Sequence, residues 1–352
     1  MKTNRTIVLL TPGFPENEQD TTCTTFLQDY VLSFKQLYPE IDLKIISFQY
    51  PFNKGDYKWN SISVYSAGGR NTKYFNRLLT WMRVWRQLSK INKETKIITL
   101  HSFWLTECSL IAQWFGRIYN IKHIGYIIGQ DAKKGNKYLR LLNLKKIILV
   151  AITEHTSKEF YNSTSHLVNR IIPFGLNTDK IKFPKNGNRK IDILGVGSLI
   201  PLKQFDLFID IIKELKKDFP SIESCIVGHG IEYDSLLKKI NDNNLDSNIK
   251  LLKDLPHKEV FAMMNESKIL LHTSSYEGQG MVMMEALACG MTVVCFDVGR
   301  VLSNEKMFVC MDKEMMLLKL KELLSNDDFN FDPIELQTMD NTVKIFAKIY
   351  EI

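Results

Sequence analysis

The sequence predicts an α/β protein of two successive doubly wound domains, each a parallel sheet wrapped by helices on both faces. Three observations carry this. A chain of 352 residues is long enough for about two domains, each with its own buried core. Short apolar runs alternate with amphipathic helical patterns, the signature of parallel strands joined by crossover helices. The alternation stops at a polar, lysine-rich stretch from Asn177 to Lys190, carrying Pro184, Asn186, Gly187 and Asn188, and then begins again.

In the first half the candidate strands are Thr6–Leu10, Leu43–Ser47, Lys96–Leu100, Lys122–Ile127, Lys146–Ile152 and Arg170–Ile172. Helical patterns fill the gaps at Phe26–Leu37, Tyr74–Ile91, Thr106–Tyr119 and Ser157–Tyr161. After the linker, Ile191–Val196 reads as a strand and Gln204–Phe219 as a helix whose Phe205, Phe208, Ile212, Leu215 and Phe219 fall near one face. Further strands are expected at Ser224–Val227, Ile249–Leu252, Ile269–Leu271, Thr292–Phe296 and Met307–Val309, with helices near Ser235, Lys258, Glu285 and Leu317. The expected domains are 1–183 and 184–333. Ligands of such sheets bind beyond the carboxyl ends of the strands, so two facing sheets would enclose an interdomain cleft.

Apolar residues make up 45% of the chain and charged residues 24%, ordinary proportions for a globular protein in water. Six scattered cysteines without a C-x-x-C pair read as reduced core thiols and a cytoplasmic setting. No apolar run reaches the roughly 18 residues that span a bilayer, and Ile7–Leu10 is too short for a signal-peptide core. A net charge of +7 suits anionic substrates or surfaces. Nucleic acid is not expected as a partner, since no zinc-ligand spacing, homeodomain-like helix or RNA-binding aromatic signature is present.

The segment Tyr276–Gly290, YEGQGMVMMEALACG, is the most informative. It follows an apolar strand and precedes a run of strong helix formers, so it reads as strand, glycine turn, helix. Gly278 and Gly280 would let a ligand approach the backbone, and the unpaired N–H groups of the first helical turn suit a phosphate. Glu277 and Glu285 would repel phosphates, so both more reasonably accept hydrogen bonds from neutral sugar hydroxyls on either side of a diphosphate. The alternative makes them helix-start and solvated surface acids.

Other residues are weaker signals. Gly195-Val196-Gly197-Ser198 opens like a dinucleotide fingerprint, but Ile200 stands where the third glycine belongs, which counts against a nicotinamide enzyme. Lys203 closes that loop and could meet a diphosphate as a point charge. Gly228-His229-Gly230 and Pro12-Gly13-Phe14-Pro15 look like loops close to ligand, with His229 as a spacer and a plain turn an equal reading for Gly13. Gly129-Gln130-Asp131 and His101 are polar groups at strand ends, divided between substrate contact and loop capping. No Asp-x-Asp occurs, which favours neutralising a diphosphate by a helix start and lysine and leaves no metal site expected. Residues 70–93 form a basic amphipathic stretch with Trp81 and Trp85; packing on the sheet is the leading reading, and peripheral membrane contact the second.

On these residues the chain resembles the retaining GT-B glycosyltransferases of family 4, the group 1 glycosyltransferases. Their Glu-x7-Glu hallmark is met by Ser274 to Gly290; Ile172–Asn177, Val227–Gly230 and Val293-Val294 also match. The resemblance implies two Rossmann-like domains, the second binding the nucleotide-sugar and the first the acceptor, with a final helix crossing back within 334–352. It implies that Glu285 holds ribose, Glu277 the donor sugar, Gly278, Gln279, Gly280 and Met281 the phosphates or sugar, and Lys203 the diphosphate. Two departures stand out: Ser198 replaces the usual arginine, and Ile128 replaces a histidine of the acceptor side, leaving Gly129 and Asp131.

The expectation is a metal-independent, retaining transferase moving a sugar from a nucleoside diphosphate to an acceptor hydroxyl, in cell-surface polysaccharide or glycolipid synthesis. Glu277, Lys203 and Asp131 are its candidate catalytic residues; Gly13, Ser198, Lys203, Gly278, Gln279, Gly280, Met281 and Glu285 are the donor contacts. No cofactor beyond the donor substrate is expected, the acceptor is saccharide or lipid-linked, and the place is the cytoplasm or its membrane face. The rivals are a non-catalytic nucleotide-sugar-binding subunit and another GT-B enzyme, an epimerase or phosphorylase.

Overall fold

The computed structural model describes residues 5–72, 75–177, 189–299, 305–326 and 328–352. The chain forms two compact units, Met1–Asn177 with Gln337–Ile352, and Thr178–Leu336. The expected boundary at 183/184 lies outside the described residues.

The first unit is built on an eight-stranded sheet: β1 (Arg5–Gly13), β2 (Asp42–Tyr50), β3 (Gly55–Trp59), β4 (Ile62–Ser66), β5 (Lys96–Phe103), β6 (Lys122–Ile127), β7 (Ile148–Ala151) and β8 (Arg170–Ile171). Its order is β3-β4-β2-β1-β5-β6-β7-β8, parallel throughout except for the antiparallel edge pair β3–β4. That pair was not expected. Its strands are five residues each, with Gly55, Asp56 and Lys58 of β3 exposed, and they are joined by Asn60-Ser61 at φ 47° and 66°. Such a mirror-image turn is usually marked by Asn-Gly, and here serine takes the glycine's place.

Helices α1 (Thr25–Leu37), α2 (Phe75–Glu94), α3 (Glu107–Tyr119) and α4 (Glu154–Thr164) cover this sheet. α2 buries Thr80, Val84, Leu88 and Ile91, the i, i+4, i+8, i+11 stripe of an amphipathic helix, so the sheet-packing reading of 70–93 holds for its inner face. Residues 73–74 of that stretch lie outside the described residues.

The second unit restarts with β9 (Ile191–Val196), α5 (Phe205–Leu215), β10 (Ser224–Val227), α6 (Tyr233–Asp242), β11 (Ile249–Leu252), α7 (His257–Asn265), β12 (Ser267–His272), α8 (Met281–Ala288), β13 (Thr292–Phe296), β14 (Met307–Cys310) and α9 (Lys313–Asn326). The sheet is fully parallel in the order β11-β10-β9-β12-β13-β14. Counted from its own first strand this is 3-2-1-4-5-6, the Rossmann order, whose direction of winding reverses between β9 and β12. Its core is the apolar face of α5, with Phe208, Ile212 and Leu215, set against Ile193, Ile226 and Ile269 of the strands.

The last helix, α10 (Met339–Tyr350), returns to the first unit and packs on α1. Tyr350 Oη lies 2.6 Å from Tyr30 Oη and 2.6 Å from His101 Nδ1, all three groups buried. His101 is therefore neither a substrate contact nor a loop cap. It sits inside β5, and burial beside His123 holds its pKa down at about 3.

Candidate functional site

The reversal between β9 and β12 leaves a crevice in which the loops after these two strands face each other. The first loop turns through a short 3-10 segment, Pro201–Lys203, and enters α5 at Gln204 with φ 49°. The second is bonded directly to it: Ser275 N donates to Leu202 O at 2.9 Å and Thr273 Oγ1 to Lys203 O at 2.9 Å. The backbone around Lys203 is thus fixed by the segment carrying Glu277. Its aliphatic stem lies along Gly197, where an added Cβ would sit 3.6 Å from Cε.

Lys203 Nζ forms an ion pair with Glu277 Oε1, and both side chains are largely buried, 18% and 15% exposed. The same oxygen lies 3.0 Å from His272 Nε2 at the end of β12. Burial alone would raise the Glu277 pKa, but the hydrogen bond from His272 and the charge of Lys203 outweigh it and hold the carboxyl at about 2. Glu277 is a fixed anion throughout the physiological range. This resting arrangement differs from the one expected from the sequence, where Lys203 faced phosphate alone.

Beyond Glu277 the chain turns at Gly280, φ 75°, into α8. A side chain there would require the left-handed conformation and would meet Met283 Cε at 2.2 Å. At the start of α8, Met283 N donates to Gly280 O at 3.0 Å, and the N–H groups before it, beginning at Met281, have no acceptor one turn back within the helix. Gln279 is buried with its amide on Met284 Sδ at 2.9 Å, a packing role for that side chain. Gly299, after β13, supports the turn from behind: a Cβ at that position would sit 2.6 Å from Glu277 Cβ and 2.9 Å from Gln279 C. One turn into α8, Glu285 is 8% exposed and its Oε1 lies 3.0 Å from His257 Nε2 at the start of α7. The His257 ring rests on Phe261 at 4.6 Å, and its Nδ1 is buried without a partner.

Each hallmark glutamate is thus held by a histidine that the sequence reading did not assign. A signal existed for both. His272 ends a strand and His257 opens the helix after one, the edge at which Rossmann sheets bind ligands. Ser198 is exposed in the β9 loop. Gly228 and Gly230 make room for the β9 loop: their Cβ atoms would meet Gly197 O at 1.9 Å and Leu199 O at 2.2 Å.

In the first unit, Asp131 caps its loop. The carboxylate is 5% exposed and accepts from the N–H groups of Leu105 at 2.8 Å, Gly129 at 2.8 Å and Ile128 at 3.2 Å. Both oxygens accept from backbone N–H groups, the loop-capping alternative of the two readings of Asp131. Gly13 ends β1 with only ordinary contacts awaiting a Cβ, Tyr50 Cβ at 3.7 Å and Cys23 Sγ at 3.8 Å, so nothing in the first unit demands glycine there.

Two Rossmann-type units, the second with an ion-paired glutamate and a glycine helix start at its switch point, define an α/β protein of the GT-B fold. Residues 177–334, most of the second unit, match the family model of Glycosyl transferases group 1. A yeast relative, the phosphatidylinositol N-acetylglucosaminyltransferase GPI3 subunit of Saccharomyces cerevisiae, is 31% identical over 131 residues, 36% of this chain and 29% of the relative. The poly(ribitol-phosphate) alpha-N-acetylglucosaminyltransferase of Staphylococcus aureus is 28% identical over 190 residues, 53% of this chain and 37% of the relative. The chain is therefore matched over well under half the length of either. Among solved structures, Anabaena HepE in complex with UDP superposes with a TM-score of 0.67 at 14% identity, covering 98% of this chain and 95% of that one, a likeness of fold.

Proposed function

We propose that the protein is a retaining glycosyltransferase that moves a sugar from a nucleoside diphosphate to an acceptor hydroxyl, in polysaccharide or glycolipid synthesis. The carrying observation is the meeting of Lys203 with Glu277 across the switch point, eight residues before a second buried glutamate at the same edge. In this reading the diphosphate lies between Lys203 and the start of α8, and Glu285, steadied by His257, accepts from the ribose hydroxyls. Phosphate replaces Glu277 as the partner of Lys203. The freed Glu277 oxygens then accept from the donor sugar, while His272 keeps the carboxylate placed. Gly278 and Met281 contribute backbone N–H groups.

Transfer proceeds on one face of the sugar. The bond from anomeric carbon to phosphate oxygen breaks, the acceptor oxygen bonds to that carbon from the same side, and the departing phosphate takes the acceptor proton. Lys203 and the α8 N-terminus stabilise the charge that grows on the leaving group. No residue of the first unit is needed as a base, in keeping with the capping role of Asp131. The reading takes no metal ion, and transfer should survive a chelator.

Glu285→Ala should weaken nucleoside diphosphate binding about tenfold or more with a smaller effect on turnover. Glu277→Ala should chiefly lower turnover. Normal kinetics in both variants would refute the assignment. A second reading, donor binding without transfer, draws on the exposed Ser198 in place of an arginine; release or transfer of sugar that Glu277→Ala abolishes would exclude it. We also propose that the outer face of α2 contacts a membrane surface, because Phe75, Leu78 and Met82 are 70%, 51% and 45% exposed on a basic helix. Among the described residues no helix is long and apolar enough to cross a membrane. Absence of binding to anionic vesicles at low salt would remove the surface contact.

A further inference from the structure

The first unit carries a cavity of about 410 Å³ that no part of the proposed donor chemistry uses. Its walls are Asn53 and Lys54 after β2, Arg70 and Thr72 after β4, and Asn76 and Arg83 on α2. β2 and β4 are parallel members of the sheet, so both loops lie beyond carboxyl ends, the edge where doubly wound sheets bind ligands. The volume falls in the range of about 300–1,000 Å³ that holds small molecules.

Among the described residues, three cations line this space and no acid does. Among the described residues, Lys54, Arg70 and Arg83 form no ion pair. The carboxylates of the neighbourhood are committed elsewhere. Asp56 accepts from Gln87 at 3.2 Å, and Glu107 accepts from Gln49 and Trp81, with Arg77 at 3.5 Å. Arg83 Nη1 donates to Ala67 O at 3.0 Å, and Arg70 Nε to Phe52 O at 2.9 Å. Each guanidinium is thereby anchored by one edge while its charge stays unmatched. The loop itself is rigidly tied: Gly69 N to Phe48 O at 2.9 Å, Arg70 N to Gln49 O at 3.0 Å, Asn71 N to Gln49 Oε1 at 2.7 Å. Arg70 and Asn71 hold φ of 54° and 53°, a conformation uncommon for residues other than glycine.

We infer that this cavity binds an oxyanion, a phosphate ester carried by the acceptor. A phosphate offers several oxygens to two guanidinium forks and one ammonium, and about two negative charges to three positive ones. The assignment to the acceptor rests on the transferase reading; the anion site does not. Binding there would fix the acceptor by its charged group and leave its hydroxyl free to react.

Titration calorimetry of the full chain with glycerol 1-phosphate, with glycerol as the neutral control, tests this. The phosphate should bind and glycerol should not, and Arg70→Gln or Arg83→Gln should each weaken phosphate binding about tenfold or more. Binding of a nucleoside diphosphate should be unchanged in both variants. Equal behaviour of phosphate and glycerol, or wild-type phosphate affinity in Arg70→Gln, would overturn the proposal. Arg70 is exposed, so that variant decides the matter even if Arg83→Gln fails to fold. Vesicles of phosphatidylglycerol and phosphatidylcholine separate the sources. Glycerol phosphate competing with phosphatidylglycerol vesicles, and loss of both in the variants, would place a lipid headgroup in the cavity; vesicle binding untouched by the variants would make the ligand a soluble ester. The two readings fail separately: phosphate binding is measured without transfer, and nucleotide binding without the acceptor.

Discussion

Glu277 is the residue on which the proposed chemistry turns, because it serves two partners at different times. In the unliganded protein it neutralises Lys203; with donor bound, the reading has it receive sugar hydroxyls. Glu277→Gln removes the charge that competes with phosphate for Lys203. Turnover should fall about 10–100-fold while nucleoside diphosphate affinity stays level or rises, a split visible by measuring kcat alongside calorimetric binding. Weaker nucleotide binding with unchanged kcat would contradict the exchange. At this scale the sequence made the glutamates and Lys203 legible by type and spacing alone. His272 and His257 were marked only by their place at the ligand-binding edge, because a histidine at a strand or helix end carries no periodicity that says what it faces. Asp131 stayed divided between substrate contact and loop capping for a related reason: that three backbone N–H groups converge on one carboxylate is a property of loop closure, and no short spacing encodes it.

Among the elements, α8 depends on the turn before it and the strand loop behind it. Gly280→Ala should lower stability by about 1–2 kcal/mol, since alanine must adopt φ 75° and displace Met283, and urea unfolding measures it. Gly299→Ala should push the Glu277 loop off Lys203 and depress turnover more than stability. Retained activity in that variant would show that the close approach is not needed. The strands of the second unit were legible almost to the residue, because most are short, largely buried apolar runs between turn residues. The β3–β4 pair escaped because an edge hairpin is half polar and its Asn60-Ser61 turn lacks the usual glycine. The close approach of the β9 loop to the glycines at 228 and 230 was not legible, because sequence shows that a position is small, not which neighbour requires it.

For the whole molecule, the C-terminal helix and buried histidines set the acid limit of stability. His101 and His123 are buried and neutral, with burial holding both pKa values at about 3 against an ordinary 6.5. Between these values the unfolded chain binds protons that the folded chain refuses. Stability is therefore lost as pH falls from about 6.5 toward 3, by up to about 1.4 kcal/mol per pH unit for each histidine. Urea midpoints should drop between pH 7 and pH 5, and an unchanged midpoint would show that the two rings are not neutral in the fold. Tyr350→Phe should loosen α10 from the first unit, with loss of its hydrogen bonds to Tyr30 and His101 costing about 1–3 kcal/mol. The two-unit α/β architecture was legible from alternation and restart. The anchoring of the last helix by a tyrosine pair 320 residues apart was not, because it is a long-range contact between groups with no local signature.

The central claim is that a nucleoside diphosphate binds at the β9/β12 switch point through Lys203 and Glu285. Thermal unfolding of the wild type, Lys203→Ala and Glu285→Ala, with a panel of nucleoside diphosphates and their sugars, tests it most directly. At least one nucleotide should raise the wild-type Tm in proportion to its saturation of the site, and both variants should lose that rise. No rise with any nucleotide, or a rise that persists in both variants, would contradict the account.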